Sequence, residues 1–349
     1  MFLPDPRPLF TDPVPSLRWG IVGTGSIAGR FVQALRLHTT QQVVAVAARN
    51  TDRSELFATR HGIPRRPATP ADLVDDPDID VVYIATPHSS HRDLALLAIG
   101  GGKHVLVEKP LAASSAEAAE IATAAADAGV LVMEAMWTRY LPQFDILRQL
   151  LADGALGDVH QVNADFGSAV SYDPTGRLWN PDLAGGALLD IGVYPISLAS
   201  ALLGTPVRVL ASGLRLANGV DLRSSAILTS VSGADANVAC SIISELPTTA
   251  TIVGSRARVE FSRPFYAPTD VTFFTRRHGR PTSQTWTDDT FTDRYGALSY
   301  EATALAGYVG QGRIESPLHP LAETVSVLTT IEEIRTQLSE CEAPRPDPS

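Results

Sequence analysis

Apolar and polar positions over the first 140 residues predict strands and helices in alternation. Apolar runs of strand length occur at Leu17–Val22, Val43–Ala48, Val81–Ile84, His104–Val107 and Val130–Met133. The segments between them carry apolar residues at helical spacing or end at glycine, as helices do. Strands that alternate with helices form a parallel sheet covered by helices on both faces. The pattern therefore predicts a doubly wound α/β domain over residues 17–140.

The pattern changes beyond residue 141. A helix is predicted at Pro142–Leu151, a strand at Val159–Phe166 and a second helix after the glycine-rich segment Gly185–Tyr194. Short β-rich segments separated by Gly, Pro and Asp then continue from Val207 to Trp286, which is typical of an antiparallel, largely open sheet. Helices near 300–311 and 321–338 close the chain. The predicted fold is an α/β Rossmann domain plus an α+β domain with a large, mostly antiparallel open β-sheet.

Composition narrows the range of partners. The 349-residue chain has a net charge of −10 and a pI near 5.3, which argues against nucleic acid or an anionic membrane surface. Two cysteines, Cys240 and Cys341, provide neither a disulfide framework nor a thiolate metal cluster. We find no apolar run of bilayer length, and the proline-rich residues 1–16 lack the apolar core of a signal peptide. We therefore expect a cytoplasmic protein whose first 16 residues form an extended or disordered arm.

The first strand runs into a dinucleotide-binding motif of the form G-x-G-x-x-A. Gly23 permits the tight turn, Gly25 lets a pyrophosphate approach the backbone, and Ala28 allows close packing of helix and strand. The amino terminus of the following helix then faces the phosphates with its positive end. The predicted phosphate-binding residues are Gly23, Thr24, Gly25, Ser26, Ile27 and Ala28.

The end of the second strand predicts which nicotinamide cofactor is preferred. An NAD site usually has an acidic residue here for the ribose 2′-hydroxyl. This chain has Arg49 and Asn50, followed by Arg53. A guanidinium suits a 2′-phosphate, although an arginine here could also be a solvated residue at a helix start. We expect NADP, with NAD possible.

The strand at His104–Val107 ends in Glu108-Lys109-Pro110. Pro110 prevents helix at Lys109 and keeps that residue extended. Ligands of open α/β sheets bind at the carboxyl ends of the strands, so Lys109 is a candidate for substrate contact or a surface lysine before a turn. His88 and His91 follow another strand, but no third ligand lies at recognisable spacing. We therefore predict no metal and expect His91 to cap and pack.

Three motifs together resemble the Gfo/Idh/MocA oxidoreductase family. They are Gly23-x-Gly25-x-x-Ala28, Glu108-Lys109-Pro110 and the segment from Gly185 to Tyr194, in family order across about 18–338. Within the family, Glu134–Arg139 and Ser299–Ala302 are similar to the dihydrodiol dehydrogenase and D-xylose dehydrogenase branch, which uses NADP. The family places substrate between the two domains and forms homodimers or homotetramers through the sheet.

The resemblance also implies site residues. Lys109, Asp190 and Tyr194 are the catalytic candidates, and Trp137, Arg139 and Phe166 join Asp190 and Tyr194 as substrate contacts. Further cofactor contacts are expected from Thr86, Pro87, His88, His91, Glu108 and Lys109. His88 departs from the family, in which many members have Asn.

The chemistry needs a proton acceptor beside the hydride transfer. Tyr194 suits this role if its pKa of about 10 falls, and an ammonium about 4 Å away stabilises a phenolate by about 4 kcal/mol. Lys109 is the predicted source of that charge, while Asp190 is assigned to substrate hydroxyls and to orienting Lys109. Asp190 and Tyr194 lie four residues apart and would share one face of an α-helix. The alternative is a structural acid at a helix start and a packed tyrosine.

The predicted activity is hydride transfer between NADP and a carbinol or carbonyl carbon of a cyclic polyol, sugar or trans-dihydrodiol. An NDP-ketosugar reductase is the alternative enzyme, and a non-catalytic dinucleotide-binding regulator is the alternative of another class. A regulator has no need for a converging lysine and tyrosine. The predicted division is an arm at 1–16, a dinucleotide-binding domain at 17–140, a substrate-binding and oligomerisation domain at 141–320, a helix at 321–340 and a tail at 341–349.

Overall fold

A computed structural model describes residues 2–277 and 279–342, which form two compact units. The α/β unit comprises Leu9–Tyr140 and Thr290–Val325. The sheet unit comprises Met1–Pro8, Leu141–Asp289 and Ser326–Ser349. The division therefore differs from the predicted one, which assigned residues 290–320 to the second domain.

The α/β unit is built on five parallel strands in the order β2-β1-β3-β4-β5. Its elements are β1 (Arg18–Val22), α1 (Ser26–His38), β2 (Gln42–Ala47), α2 (Thr51–His61), α3 (Pro70–Val74), β3 (Val81–Ile84), α4 (His91–Gly100), β4 (His104–Glu108), α5 (Ser115–Ala128) and β5 (Val132–Ala135). The central strands are buried because helices cover the sheet, as their unbroken apolar runs require. Phe31 of α1 stacks on Tyr83 of β3 with 3.9 Å between ring centroids, which anchors the helix to the sheet.

Residues 290–325 complete the α/β unit because their aromatic side chains pack against its helices. Helix α8 (Leu298–Gly310) follows a 3₁₀ turn at Arg294–Ala297. The ring of Phe291 lies 4.7 Å from that of His38 in α1, and Tyr308 meets Phe10 edge-on at 5.5 Å. These contacts explain why this segment groups with a domain that ended 150 residues earlier in the sequence.

The N-terminal arm is extended and packed. Its described residues form no helix or strand. Arg7 pairs with Asp145 in the sheet unit, with 3.0 Å between Nη2 and Oδ1. Phe10 packs so tightly in the α/β unit that a Cβ on Gly307 would lie 2.2 Å from its ring. The two halves of the arm thus belong to different units, whereas a single arm at 1–16 was predicted.

The sheet unit contains a nine-stranded mixed sheet in the order β13-β12-β11-β10-β6-β9-β8-β7-β14. Its elements are α6 (Pro142–Ala152), β6 (Val159–Gly167), α7 (Val193–Leu203), β7 (Arg208–Leu216), β8 (Asp221–Thr229), β9 (Asp235–Ser241), β10 (Ala250–Gly254), β11 (Arg258–Phe261), β12 (Val271–Arg277), β13 (Arg280–Trp286), α9 (Leu321–Thr336) and β14 (Ser339–Cys341). The division between units falls within α9. Among the described strands of this nine-stranded sheet, only β6–β9 and β7–β14 pair in parallel, so the predicted fold class is confirmed.

Two local features of this unit were not predicted. Ser339–Cys341 forms a strand along β7, where the end of a helical segment (321–340) and the start of a tail (341–349) were expected, while 343–349 lie outside the described residues. Pro181–Leu203 is long and apolar enough to cross a membrane, although no run of that length was predicted. In its most apolar window 72% is buried inside the protein, which is the environment of a core helix.

Candidate active site

The predicted site residues of the α/β unit follow strands whose carboxyl ends are aligned. Val22 pairs with Ala47 and with Ile84, and Ile84 pairs with Val107. Glu108 in turn pairs with Ala135. Parallel strands in this register end at one edge of the sheet, where open α/β folds bind ligands. The residues that follow these ends include Gly23, Arg49, Thr86, Lys109 and Trp137.

The glycine-rich turn has the geometry that a dinucleotide needs. Gly23 has φ +115°, and a Cβ there would lie 2.3 Å from the Ala85 carbonyl oxygen. A Cβ on Gly25 would meet nothing within 4 Å, so the backbone is open on that side. Gly25 is also the N-cap of α1 and has no side chain to cover the first backbone N–H groups. The turn therefore fits a pyrophosphate at the positive end of α1.

Two exposed arginines follow β2. Arg49 precedes α2, and Arg53 lies in its first turn. Asn50 is the N-cap of α2, where its side-chain oxygen accepts the Arg53 backbone N–H at 2.9 Å. Asn50 thus has a structural role that the sequence analysis did not assign, and it orders the turn that carries both guanidinium groups.

His91 joins two of the turns at this edge. Its ring is fully buried, with Nδ1 2.8 Å from the Pro110 carbonyl oxygen and Nε2 2.9 Å from that of Thr86. Burial lowers the pKa of His91, while both carbonyl groups oppose that shift. His91 therefore packs as predicted and positions neighbouring backbone, although it was also assigned to the cofactor. Among the described residues no group of three His, Cys, Asp or Glu side chains could hold a metal ion.

Lys109 follows a carboxylate that is already engaged. Glu108 is half-buried and accepts the Tyr83 hydroxyl at 2.5 Å. Burial raises the pKa of Glu108, whereas the Tyr83 hydrogen bond and the Lys109 charge act in the opposite direction. Glu108 was predicted to contact the cofactor, and its carboxylate already accepts a hydrogen bond from Tyr83 on β3. Lys109 itself is partly exposed, and the Lys109–Pro110 peptide bond is cis.

The 3₁₀ turn Trp137–Tyr140 carries one aromatic candidate and one buried cation. Trp137 stacks on Tyr295 with 6.2 Å between centroids, and the Arg30 guanidinium lies 3.7 Å from the centre of the Tyr295 ring. Arg139 is only 7% exposed and pairs with Glu323. The assignment of Arg139 to substrate stays a prediction, and its buried side chain already takes part in an internal ion pair. Tyr295 was missed, since a lone tyrosine in a loop carries no signal.

The sheet unit contributes Asp190 and Tyr194 from an irregular helix. Leu188–Gly192 is a π-helical turn that leads into α7, whereas a regular helix was predicted. Gly186 has φ +123°, and a Cβ there would lie 2.6 Å from Oδ1 of Asp221. The other oxygen of Asp221 accepts the Leu188 N–H at 2.6 Å. The glycines of the motif therefore let a buried carboxylate anchor the start of this helix, and π-helical turns of this kind are frequent at functional sites.

Tyr194 lies in a cluster of three aromatic rings. Phe166, on β6, has its centroid 5.8 Å from that of Tyr194. Tyr266 stacks on Phe166 at 4.4 Å with 12° between the planes and lies 4.8 Å from Tyr194. Asp190 pairs with Arg177 at 2.9 Å. Sequence reasoning missed Tyr266 and Arg177; the aromatic pair Phe265-Tyr266 among prolines was the available signal for Tyr266.

The structure thus groups the predicted residues in two sets. Lys109, Trp137 and the phosphate-binding turn belong to the α/β unit, whereas Phe166, Asp190 and Tyr194 belong to the sheet unit. The convergence of Lys109 with Tyr194 stays a prediction. The first set fits a dinucleotide. The second set contains a carboxylate, a phenol and further aromatic side chains.

Comparisons with known proteins identify the class. Residues 17–136 match the oxidoreductase family with an NAD-binding Rossmann fold, and residues 144–260 match the GFO/IDH/MocA C-terminal domain. The mouse trans-1,2-dihydrobenzene-1,2-diol dehydrogenase is 36% identical over 92% of this chain and 96% of its own length. The human enzyme of that name is 35% identical over the same shares.

Solved structures agree with this assignment. KijD10, a 3-ketoreductase from Actinomadura kijaniata crystallised with NADP and TDP-benzene, has a TM-score of 0.81 and 26% identity, covering 95% of this chain and all of that one. The aldose-aldose oxidoreductase from Caulobacter crescentus has a TM-score of 0.79 and 26% identity, covering 93% and 97% of the two chains. The chain belongs to the Gfo/Idh/MocA oxidoreductase family. It is an NAD(P)-dependent oxidoreductase, so the predicted class and cofactor type are confirmed.

Proposed function

We propose that this protein is an NADP-preferring dehydrogenase of ring-shaped substrates with neighbouring hydroxyls, either a trans-dihydrodiol or a cyclic sugar or polyol. The observation that carries the proposal is the cluster of Phe166, Tyr194 and Tyr266 in the unit that also holds Asp190. Aromatic walls suit the apolar face of a ring, and a carboxylate accepts hydrogen bonds from its hydroxyls. The relatives named for trans-1,2-dihydrobenzene-1,2-diol support the same class.

A bound nicotinamide would supply hydride exchange with the substrate carbon, and the protein must supply the group that carries the proton. The proposed group is Tyr194, whose phenolate accepts the proton during oxidation and whose hydroxyl returns it during reduction. Tyr194 is 8% exposed and lies within the aromatic cluster, so its ring orientation is well restrained. Lys109 is proposed to stabilise the phenolate by charge, and Asp190 to orient the substrate.

Preference for NADP rests on Arg49 and Arg53. Both side chains are exposed beside the capped start of α2, and an acidic residue is absent from the end of β2. A ribose 2′-phosphate has the charge and oxygen geometry that guanidinium groups recognise. KijD10 was crystallised with NADP, which supports the same choice.

A substrate panel tests the proposed function. Purified enzyme is assayed with NADP against trans-dihydrodiols, aldoses, inositols and nucleotide sugars, and with NADPH against the corresponding carbonyl compounds. We expect turnover of a free ring substrate. Turnover confined to nucleotide sugars would instead favour the second candidate, an NDP-ketosugar reductase. The likeness to KijD10, a 3-ketoreductase, supports testing that candidate. NADP binding without turnover of any class would overturn the proposal.

We propose further that the protein is cytoplasmic and assembles as a homodimer or homotetramer through its sheet. Leu210 and Ile227 are register partners on β7 and β8, and they are 51% and 41% exposed. Exposed apolar pairs on a sheet face are typical of contact surfaces. Light scattering of the purified chain and of Leu210→Glu tests the assembly: the variant should shift toward monomer, and an unchanged mass would exclude this surface.

A further inference from the structure

The turn that carries Lys109 is held by two side chains that contact the peptide group joining Pro110 and Leu111. His91 Nδ1 lies 2.8 Å from the Pro110 carbonyl oxygen. Glu134 Oε1 accepts the Leu111 backbone N–H at 3.0 Å. Leu111 is fully buried, so its N–H requires a partner, and a carboxylate of β5 supplies it.

Glu134 is itself held by a segment distant in sequence. Its second oxygen, Oε2, lies 2.6 Å from His319 Nε2 and accepts the Thr324 hydroxyl at 3.0 Å. Glu134 and His319 are each 2% exposed, and Thr324 is 1% exposed. Residues 290–325 therefore reach the Lys109 turn through one carboxylate, although they form no part of the parallel sheet.

The charges around His319 balance when its ring is protonated. His319 Nδ1 lies 3.6 Å from Glu323 Oε2, and Glu323 is paired with Arg139. Two carboxylates, Glu134 of β5 and Glu323 of α9, thus lie beside two basic groups. These are the ring of His319 and the guanidinium of Arg139. Burial and Arg139 lower the pKa of His319, but the carboxylates of Glu134 and Glu323 outweigh them and raise it. Burial raises the pKa of Glu134, but the hydrogen bond and charge of His319 outweigh it and lower it.

We propose that Glu134 and His319 form a positioning pair that fixes the Lys109 turn and so orients the Lys109 ammonium. The pair touches neither substrate nor cofactor in this proposal, which rests on the proposed function of Lys109. A displacement of about 1 Å in a reacting group can cost about 100-fold in rate. A buried carboxylate clamped by an imidazole limits such displacement, since it cannot rotate away from the Leu111 N–H without losing its own partners.

The first test compares Glu134→Leu, Glu134→Gln and Thr324→Val. Leu removes the acceptor for Leu111, whereas the Gln amide oxygen keeps it. Val removes a hydrogen bond to the same carboxylate but leaves the Leu111 contact, so it controls for a purely structural loss. We expect kcat to fall about 100-fold in Glu134→Leu and by less than fivefold in the other two. NADPH affinity measured by fluorescence should change less than threefold in all three.

A double-mutant cycle separates positioning from general damage. If Glu134 acts through Lys109, Glu134→Leu should lower kcat little further in a Lys109→Met background. The pH–rate profile of Glu134→Leu should also move in the same direction as that of Lys109→Met. Equal losses from Glu134→Leu in both backgrounds, or an unshifted pH profile, would overturn the proposal. If Glu134→Leu does not fold, His319→Leu and His319→Gln are compared instead. Gln keeps an uncharged hydrogen-bond donor for Glu134 near the position of His319 Nε2, whereas Leu removes it.

Hydrogen exchange tests the anchoring without substrate. The peptide that contains the Leu111 amide should exchange faster in Glu134→Leu than in Thr324→Val, measured by mass spectrometry on the full chain. Equal exchange in the two variants would overturn the pair as an anchor. This readout does not need turnover, so failure of the proposed function and failure of the positioning pair give different results.

Discussion

Arg177 donates from Nη2 to Asp190 Oδ1 at 2.9 Å, so the carboxylate assigned to substrate hydroxyls is paired with a cation of its own unit. The side chains are 42% and 19% exposed, which leaves the pair accessible to solvent. A guanidinium in this position limits the rotation of the carboxylate. A substrate hydroxyl that bound Asp190, as proposed, would share the carboxylate with Arg177.

Replacing Arg177 should weaken substrate binding modestly. Exposed pairs of this kind contribute about 0.2–1 kcal/mol, so Arg177→Met should raise KM by at most about fivefold, and the difference should shrink at high salt. Steady-state kinetics at two ionic strengths checks this. Arg258→Met, which breaks the Arg258–Glu260 pair elsewhere in the sheet unit, is the matched control. A loss of more than 100-fold would assign Arg177 a direct role in catalysis.

Tyr266 should contribute to binding through its ring. Its stacking on Phe166 and proximity to Tyr194 predict that Tyr266→Ala raises KM, because aromatic pairs contribute about 0.5–1.5 kcal/mol beyond area burial, or about two- to twelvefold. Tyr266→Phe keeps the ring and should behave nearly as the unmodified enzyme. Equal losses in the two variants would instead assign the effect to the hydroxyl.

Cofactor choice should depend on Arg49. A hydrogen bond to a charged phosphate is worth about 1.5–3 kcal/mol, so Arg49→Asp should reduce the kcat/KM ratio of NADP over NAD by roughly ten- to a hundredfold or more. Arg60→Asp, at the far end of α2, is the control and should leave the ratio unchanged. Equal efficiency of the unmodified enzyme with both cofactors would contradict this assignment.

Tyr194 should carry the proton. Tyr194→Phe removes the hydroxyl and keeps the ring in its aromatic cluster, so kcat should fall by about 10²–10⁴ while NADPH binding persists. Stopped-flow hydride transfer and fluorescence titration measure the two effects. Near-normal turnover on the true substrate would move the role to Lys109 or a water molecule.

Lys109 should act through its charge. Lys109→Met keeps the length of the side chain and removes its charge. Because the phenolate then loses that stabilisation, the pH–rate profile for oxidation should move to higher pH, while the adenosine half of the cofactor still binds. Lys109→Arg should recover only part of the activity, because its charge is spread over a bulkier group. A pH profile unchanged in Lys109→Met would show that the ammonium does not set the ionisation.

Glu301 should make stability depend on pH. It is fully buried in α8, and among the described residues no donor reaches either carboxylate oxygen. Burial, with the Glu108 charge, raises its pKa well above the ordinary 4.5. Because the folded state keeps the proton that the unfolded state loses, this group's contribution to stability falls as the pH rises from about 4.5 to the folded pKa.

Glu301→Gln removes that ionisation. The free energy of unfolding of the variant should exceed that of the unmodified protein increasingly across this window, by at most about 1.4 kcal/mol per pH unit. Urea denaturation between pH 5 and pH 8 measures the difference, with the exposed Glu333→Gln as control. A difference independent of pH would mean that Glu301 is ionised in the folded protein.

The sequence by itself determined the features that local patterns encode. Unbroken apolar strands followed by Gly23, Arg49 or Lys109 fix both the parallel sheet and the edge at which ligands bind, because parallel strands of equal register end together. The glycine at 23 is required by positive φ and close approach, which motif spacing also indicated.

Tertiary structure alone decided which distant side chains meet. Arg139 was predicted to face substrate, yet its guanidinium pairs with Glu323, 184 positions away. The same folding brings His319 to Glu134 across 185 positions and Tyr266 onto Phe166. Periodicity specifies which face of an element is buried, but it carries no information on the partner. Partners are chosen by shape and charge only when the whole chain packs, so residues 290–325 join the α/β unit for reasons that no local window contains.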